Sequence, residues 1–191
     1  MLDQTQRIQT KKQLYDWLSY EKQKYKSSFF KDLFLIGENA LLKRHQCLLR
    51  KTEYYANTKK RLRYLFSKIR LINFQNKYAL HVPLNCCQRG FRIMHVGPIL
   101  INPNARVGKD CCFHINTALV AGGKNSDAPT LGDGVVVGIG AVVLGGVAIA
   151  SNVAIGANAV VNKDVEETNI AVAGVPAKKI SNNGRLSWNK K

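Results

Sequence analysis

The sequence predicts a mainly β chain, a coil of short parallel strands behind an α-helical N-terminal extension. Three observations predict it. Aliphatic residues recur every six positions through the second half. Residues 9–74 carry helical spacing with almost no helix breakers. The two halves also differ in charge, with 18 Lys and Arg against 6 Asp and Glu in residues 1–80, a net of +12 out of the chain's +17.

The helical part comes first. Leu14, Trp17 and Leu18 recur at helical spacing, as do Leu41, His45, Leu48, Tyr55, Leu62, Leu65, Ile69 and Ile72. The segment holds one glycine, Gly37, and no proline, which predicts two or three helices broken near Gly37 and near Asn57. The apolar stripes read as packing faces. Pro83 marks the boundary. The expected division is a helical region over 1–78, the coil over 79–182 and a C-terminal tail over 183–191.

The coil follows from the period. Read in sixes, the first letters are Ile101, Val107, Phe113, Leu119, Leu131, Val137, Val143, Ile149, Ile155 and Val161. The gap between Leu119 and Leu131 is two sixes long, so register survives it. The fifth position is small or narrow, as at Ala105, Cys111, Thr117, Ala141 and Ala159, and the second is often glycine, as at Gly108, Gly132, Gly138 and Gly156. A period of two makes a flat strand and 3.6 makes a helix. A period of six, with one large aliphatic and one small residue per unit, suits short strands joined by tight corners. The aliphatics stack into a narrow core, and the glycines are expected to tolerate the corner dihedrals. Each rung buries its aliphatic only against the next, so several are needed for stability.

Composition removes several function classes. No window approaches 18 uninterrupted apolar residues, so no spanning helix is expected. The first residues show no secretory signal, and the five cysteines have no framework spacing, so reduced thiols in a cytoplasmic protein are expected. The adjacent pairs Cys86-Cys87 and Cys111-Cys112 are not C-x-x-C, so no metal is expected. The glycines form no phosphate-binding G-x-x-x-x-G-K loop. A basic front half attracts polyanions: nucleic acid, acidic lipid headgroups or a phosphate-bearing substrate. The plainer reading is a solvated helix surface. No nucleic-acid motif accompanies the charge, so no nucleic-acid partner is expected.

The run Ile155-Gly156-Ala157-Asn158-Ala159-Val160 and its neighbours resemble the hexapeptide repeats of left-handed parallel β-helix acyltransferases. The ending Ala173-Gly174-Val175-Pro176-Ala177-Lys178-Lys179-Ile180 resembles the segment that closes their coil. The resemblance covers roughly residues 80–182 and is closest to the serine acetyltransferase-like branch, which includes bacterial polysaccharide O-acetyltransferases. It implies acetyl-CoA as acyl donor and a homotrimer with active sites in clefts between neighbouring coils.

Acetyl transfer to an alcohol needs a base for the hydroxyl proton, donors for the tetrahedral oxyanion, and a slot that holds the thioester beside the acceptor. Histidine suits the first task. His95, in Met94-His95-Val96-Gly97-Pro98-Ile99, resembles the family segment in which the general base precedes a glycine and an aliphatic strand. It also lies one six before Ile101, a first-position site where an aliphatic is expected, and such rule-breaking is expected of a functional site. His114 is 19 residues from His95, against 18 for three sixes, which puts the two near each other on adjacent rungs. It could assist, bind the acceptor or face solvent. His81 could approach the same cleft, and His45 reads as structural.

The segment 121–130 is expected to leave the coil as a loop. The resemblance places a second histidine there, an acidic residue just before the base, and an aspartate fifteen residues upstream. This chain has Asp127-Ala128-Pro129, Met94 and Leu80 in those places. Asp127 could orient an imidazole or serve as a turn residue. For the CoA wall the resemblance points to Gly123, Ile139 and Ala157, with Lys178 and Lys179 near the phosphates. The missing serine-gripping residues favour a sugar hydroxyl in surface polysaccharide assembly, which would bring peripheral contact with a membrane-borne substrate. Serine O-acetylation and a non-catalytic β-helix scaffold are the alternatives.

Overall fold

The computed structural model describes residues 2–123 and 127–188. A short 3-10 turn, Gln4–Gln6, leads into four helices: α1 (Lys11–Lys22), α2 (Phe29–Phe34), α3 (Glu38–Asn57) and α4 (Arg61–Tyr78). Thr10 starts α1 with a reciprocal cap, its hydroxyl accepting from Gln13 N–H while the Gln13 side chain accepts from Thr10 N–H. The expected breaks near Gly37 and Asn57 are there, but four helices form rather than two or three. The run 23–28, polar apart from Tyr25, separates α1 from α2, and Leu35 and Gly37, both at positive φ, separate α2 from α3.

Helix α3 is the hub. It packs on α1, α2 and α4. Leu42, Leu48 and Leu49 of α3, Leu71 of α4 and Tyr25 join the same buried cluster as the aliphatics of the coil. The helices therefore cover the first rung and share its core. The junction is also ionic. Arg50, fully buried, donates to Glu21 at 2.8 Å, to Glu53 at 2.9 Å, and to the carbonyls of Cys87 and Gln88. Glu21 accepts in addition from Gly90 N–H at 2.8 Å. His45 lies fully buried nearby, paired with Gln75, and burial together with Arg50 pushes its pKa down to about 3.

One stripe departs from expectation. Leu62, Leu65, Phe66, Ile69 and Ile72 of α4 are 41–75% exposed rather than packed. The helix packs inward with Leu71, Phe74 and Tyr78 instead, because those residues share the opposite side of the 3.6-residue turn.

The coil has three sides. One sheet stacks β1 (Leu80–His81), β3 (Ile99–Ile101), β6 (Thr117–Val120), β9 (Val142–Leu144) and β12 (Val160–Val161), all parallel. A second stacks β4 (Arg106–Val107), β7 (Thr130–Leu131) and β10 (Ala148–Ile149), extended at its ends by bridges from Cys87 to Val107 and from Ile149 to Val165. The third stacks β2 (Arg92–Ile93), β5 (Cys112–Phe113), β8 (Val136–Val137), β11 (Ala154–Ile155) and β13 (Ala171–Ala173), closed by antiparallel β14 (Lys178–Ser181). Short α5 (Arg185–Trp188) follows, and Arg185 donates to the carbonyls of Asp110 and Gly134. Each side thus carries five stacked rungs. Every first-position aliphatic from Ile101 to Val161 is at most 3% exposed.

Two details of the repeat differ from the sequence reading. The second-position glycines are not the left-handed corner residues. That role falls two residues later, to Asn116, Gly140 and Asn158 at one corner and to Asp110, Gly134 and Asn152 at another, all at positive φ. Gly108, Gly132 and Gly138 are required because neighbouring coils stack backbone on backbone: a Cβ on Gly138 would lie 2.7 Å from the Ile155 carbonyl. The coils are also unequal. Val137 faces Ile155 eighteen residues on, whereas Leu119 faces Val143 across 24, the extra six belonging to the loop after β6.

Candidate active site

The second irregularity in coil length creates the site. Ile93 stands opposite Phe113, but Ile101 stands opposite Leu119. Eight residues therefore separate Ile93 from Ile101 where six separate Phe113 from Leu119. Ile93 is fully buried and holds the core position, so His95 does not occupy a first-position site as the simple six-residue frame predicts. The two extra residues widen the corner and push His95 outward, leaving its side chain 50% exposed.

A carboxylate meets it there. Glu38, the first residue of α3, places Oε2 3.1 Å from His95 Nδ1 and accepts the Val96 N–H at 2.7 Å through Oε1. Gly37 makes this approach possible, since its φ of +87° turns the chain into α3 at a conformation that L side chains rarely adopt. An Nδ1–H donated to Glu38 leaves the Nε2 lone pair free to accept a proton. Among the described residues, Nε2 has no hydrogen-bond partner. Glu38 lies 57 residues from His95 in sequence, beyond the reach of any local pattern.

His114 follows on the next rung. Its ring centroid is 6.1 Å from that of His95, so the two imidazoles are neighbours as expected, although the coil between them is 20 residues long at this corner rather than the regular 18. Its Nδ1 is buried with no partner among the described residues. Burial, then His95, then Arg92 lower its pKa from the ordinary 6.5. A neutral His114 does not oppose the positive charge that His95 acquires on taking a proton.

The corner continues past the histidines as a column. The Ile115 carbonyl accepts from Gly140 N–H, and the Ile139 carbonyl accepts from Asn158 N–H. Ile139 and Ala157 therefore sit on the same corner, one and two rungs beyond Ile115, both exposed. At about 4.8 Å per rung, Ala157 lies roughly 10 Å along the column from the level of His114. Lys178 and Lys179 stand on β14 opposite Ala173 and Val172, at the closing end of this column. Lys179 is engaged with Glu167 at 2.6 Å.

The other predicted residues lie elsewhere. Gly123 and Asp127 belong to the loop after β6, at the opposite end of that strand from the histidine corner. Lys124, Asn125 and Ser126 of that loop lie outside the described residues. Gly123 is exposed, with no described residue within 4 Å of where its Cβ would be, and Asp127 lies against Gly146. The carboxylate on His95 is Glu38, not Asp127. His81 is exposed on β1, opposite Leu100 of β3.

A family model described as bacterial transferase hexapeptide (six repeats) matches residues 128–163. None of the curated proteins compared with the chain matches it. Solved structures do. A serine acetyltransferase of Brucella abortus in complex with coenzyme A superposes with a TM-score of 0.69 at 22% identity, over 92% of this chain and 70% of that one. The Neisseria gonorrhoeae serine acetyltransferase in complex with serine gives 0.65 at 23%, over 90% and 70%. A serine acetyltransferase in complex with cysteine gives 0.67 at 20%, over 90% and 71%. The chain therefore carries the transferase hexapeptide repeat on a left-handed parallel β-helix with a helical extension, the fold of the serine acetyltransferase-like branch.

Proposed function

We propose that this chain is an acetyl-CoA-dependent O-acetyltransferase in which His95 is the general base and Glu38 its positioning residue. The observation that carries the reading is the carboxylate–imidazole pair on a widened corner, beside a neutral second imidazole and at the head of an exposed corner column. His95 Nε2 takes the acceptor's proton as the hydroxyl oxygen attacks the thioester carbonyl. The tetrahedral intermediate collapses, the C–S bond breaks, and the protonated imidazole returns its proton to the CoA thiolate. The pantetheine arm lies along Ile139 and Ala157 toward Lys178.

The acceptor is a sugar hydroxyl of a surface glycan. Leu80, where the resemblance places an aspartate, is fully buried and offers an amino acid nothing to grip, and Met94 replaces the acidic residue before the base. The neighbouring enzymes solved with serine or cysteine support serine as the second reading. The chain works as a homotrimer. A half-exposed base on an open shelf lacks a second wall, and an adjacent coil supplies one.

Acceptor-dependent release of free CoA tests the activity. His95→Ala should abolish it without changing the mass seen by sedimentation. Full activity in that variant overturns the mechanism. Turnover of L-serine at the rate of a metabolic enzyme overturns the glycan assignment. Absence of any CoA binding leaves the coil a scaffold.

A further inference from the structure

Among the described residues, nothing packs on the outward side of α4. At 3.6 residues per turn its exposed residues Leu62, Leu65, Phe66, Ile69 and Ile72 form one stripe covering about a third of the circumference. Arg63, Arg70 and Lys77 border one edge and Arg61 and Lys68 the other, all exposed. The sequence contains no acidic residue between Glu53 and Asp110. Beside the stripe, between α3 and α4, lies a cavity of about 340 Å³. Arg44, Lys51, Arg63 and Arg70 line it together with Phe66, and no carboxylate does.

An apolar stripe with cations on both flanks matches a surface that is oily below and anionic above. The long side chains at the edges can reach the headgroup level while their stems lie over apolar matter. No described helix is long and apolar enough to cross a membrane. We propose that α4 lies flat on an anionic phospholipid surface. The stripe sits at the acyl boundary, the flanking Arg and Lys pair with lipid phosphates, and the groove between α3 and α4 seats one of them. A second copy docked through this face would set five cations against five with no acidic residue on either helix. A polynucleotide would satisfy the charges and leave the stripe in water. The proposal is independent of the acetyl-transfer reading.

The test is vesicle flotation of the full chain. The vesicles are phosphatidylcholine alone or phosphatidylcholine mixed with phosphatidylglycerol. The mixed vesicles should bind at least about tenfold more tightly, and high salt should weaken that binding. Leu65→Glu with Phe66→Glu, and separately Arg63→Glu with Arg70→Glu, should each abolish flotation. Both pairs should leave the circular dichroism and the CoA release with soluble acceptor unchanged, which separates this proposal from the catalytic one. Equal binding to both vesicles, or none, overturns it. A fall in oligomeric mass in the Leu65 and Phe66 variant without vesicle binding assigns the face to a second copy. Tight RNA binding without flotation assigns it to nucleic acid.

Discussion

Replacing Glu38 with glutamine removes one negative charge from beside the His95 imidazole and changes little else. The glutamine oxygen can still accept the Val96 N–H that now lies 2.7 Å from Oε1. What is lost is the attraction between a carboxylate and the imidazolium formed during proton transfer, at 3.1 Å. At that separation Coulomb's law gives about 1.3 kcal/mol in water and about 5 kcal/mol at an effective dielectric constant of roughly 20. The two side chains are 50% and 44% exposed, so the screened end of that range applies, about 1–2 kcal/mol. A second effect adds to it. The glutamine amide donates to Nδ1, moving the imidazole proton to Nε2 and leaving the wrong tautomer for a base. Together they predict a fall in kcat of about ten- to a hundredfold, with the KM for acetyl-CoA within about twofold. Thiol-reagent detection of released CoA measures both. Glu38→Asp should recover part of the rate, and adding Glu38→Gln to His95→Ala should cost nothing more than His95→Ala alone. Wild-type kcat in Glu38→Gln, or multiplicative losses in the double variant, would refute the assignment of Glu38 as the positioning residue.

Three further predictions concern stability. Arg50→Met leaves Glu21 and Glu53 buried without their cation and should cost about 3–5 kcal/mol by denaturant unfolding, whereas Glu21→Gln and Glu53→Gln added to it should restore part of the loss. His45 titrates at about 3 in the fold against an ordinary 6.5, so the stability it contributes is complete above pH 6.5 and is lost as pH falls toward 3. Between pH 7 and pH 4 this group alone should account for about 3 kcal/mol, so His45→Leu should show a correspondingly flatter pH dependence of unfolding; an identical slope would remove His45 from the account. Gly138→Ala drives a Cβ within 2.7 Å of the Ile155 carbonyl and 2.9 Å of the Ala157 nitrogen and should destabilise by about 1–3 kcal/mol, while Gly123→Ala, with no described residue within 4 Å, should be neutral in melting temperature.

The coil was legible in the sequence because its rule is local. Ile101 through Val161 announce the core in one frame, and the frame survives the loop at 121–130 since that insertion is six residues long. The widened corner was not legible in the same way, because Ile93 and Ile101 are eight apart and nothing local distinguishes a two-residue insertion from a polar residue in the core. His95 is legible through its setting in the resemblance, but the simple six-residue frame puts it at the core position that Ile93 holds. Glu38 was invisible for another reason: its pairing with His95 depends on how α3 docks on the first coil, which no short-range period encodes. The acid after Gly37 at a helix start was the available signal, and it reads equally as an ordinary favourable charge at a helix N-terminus. The Arg50 cluster was missed similarly, since Arg50 and Glu53 at i and i+3 look like a solvated surface pair.

The two ends of the coil differ from its middle in a way that fixes a length. Helices cover the first rung, and β14 turns back antiparallel over β13 with Lys178 and Lys179 outward. An edge that carries lysines and reverses direction does not accept another parallel strand. The number of rungs is therefore set inside the chain, and the path from the histidine corner to the closing hairpin can change only in whole steps of about 4.8 Å. Residues 139–156 make one such step, since their removal would join Gly138 to Ala157 with every core aliphatic still in frame. The coil is a measuring stick with discrete graduations, and lengthening or shortening it by a rung would retune its reach without redesigning either lid.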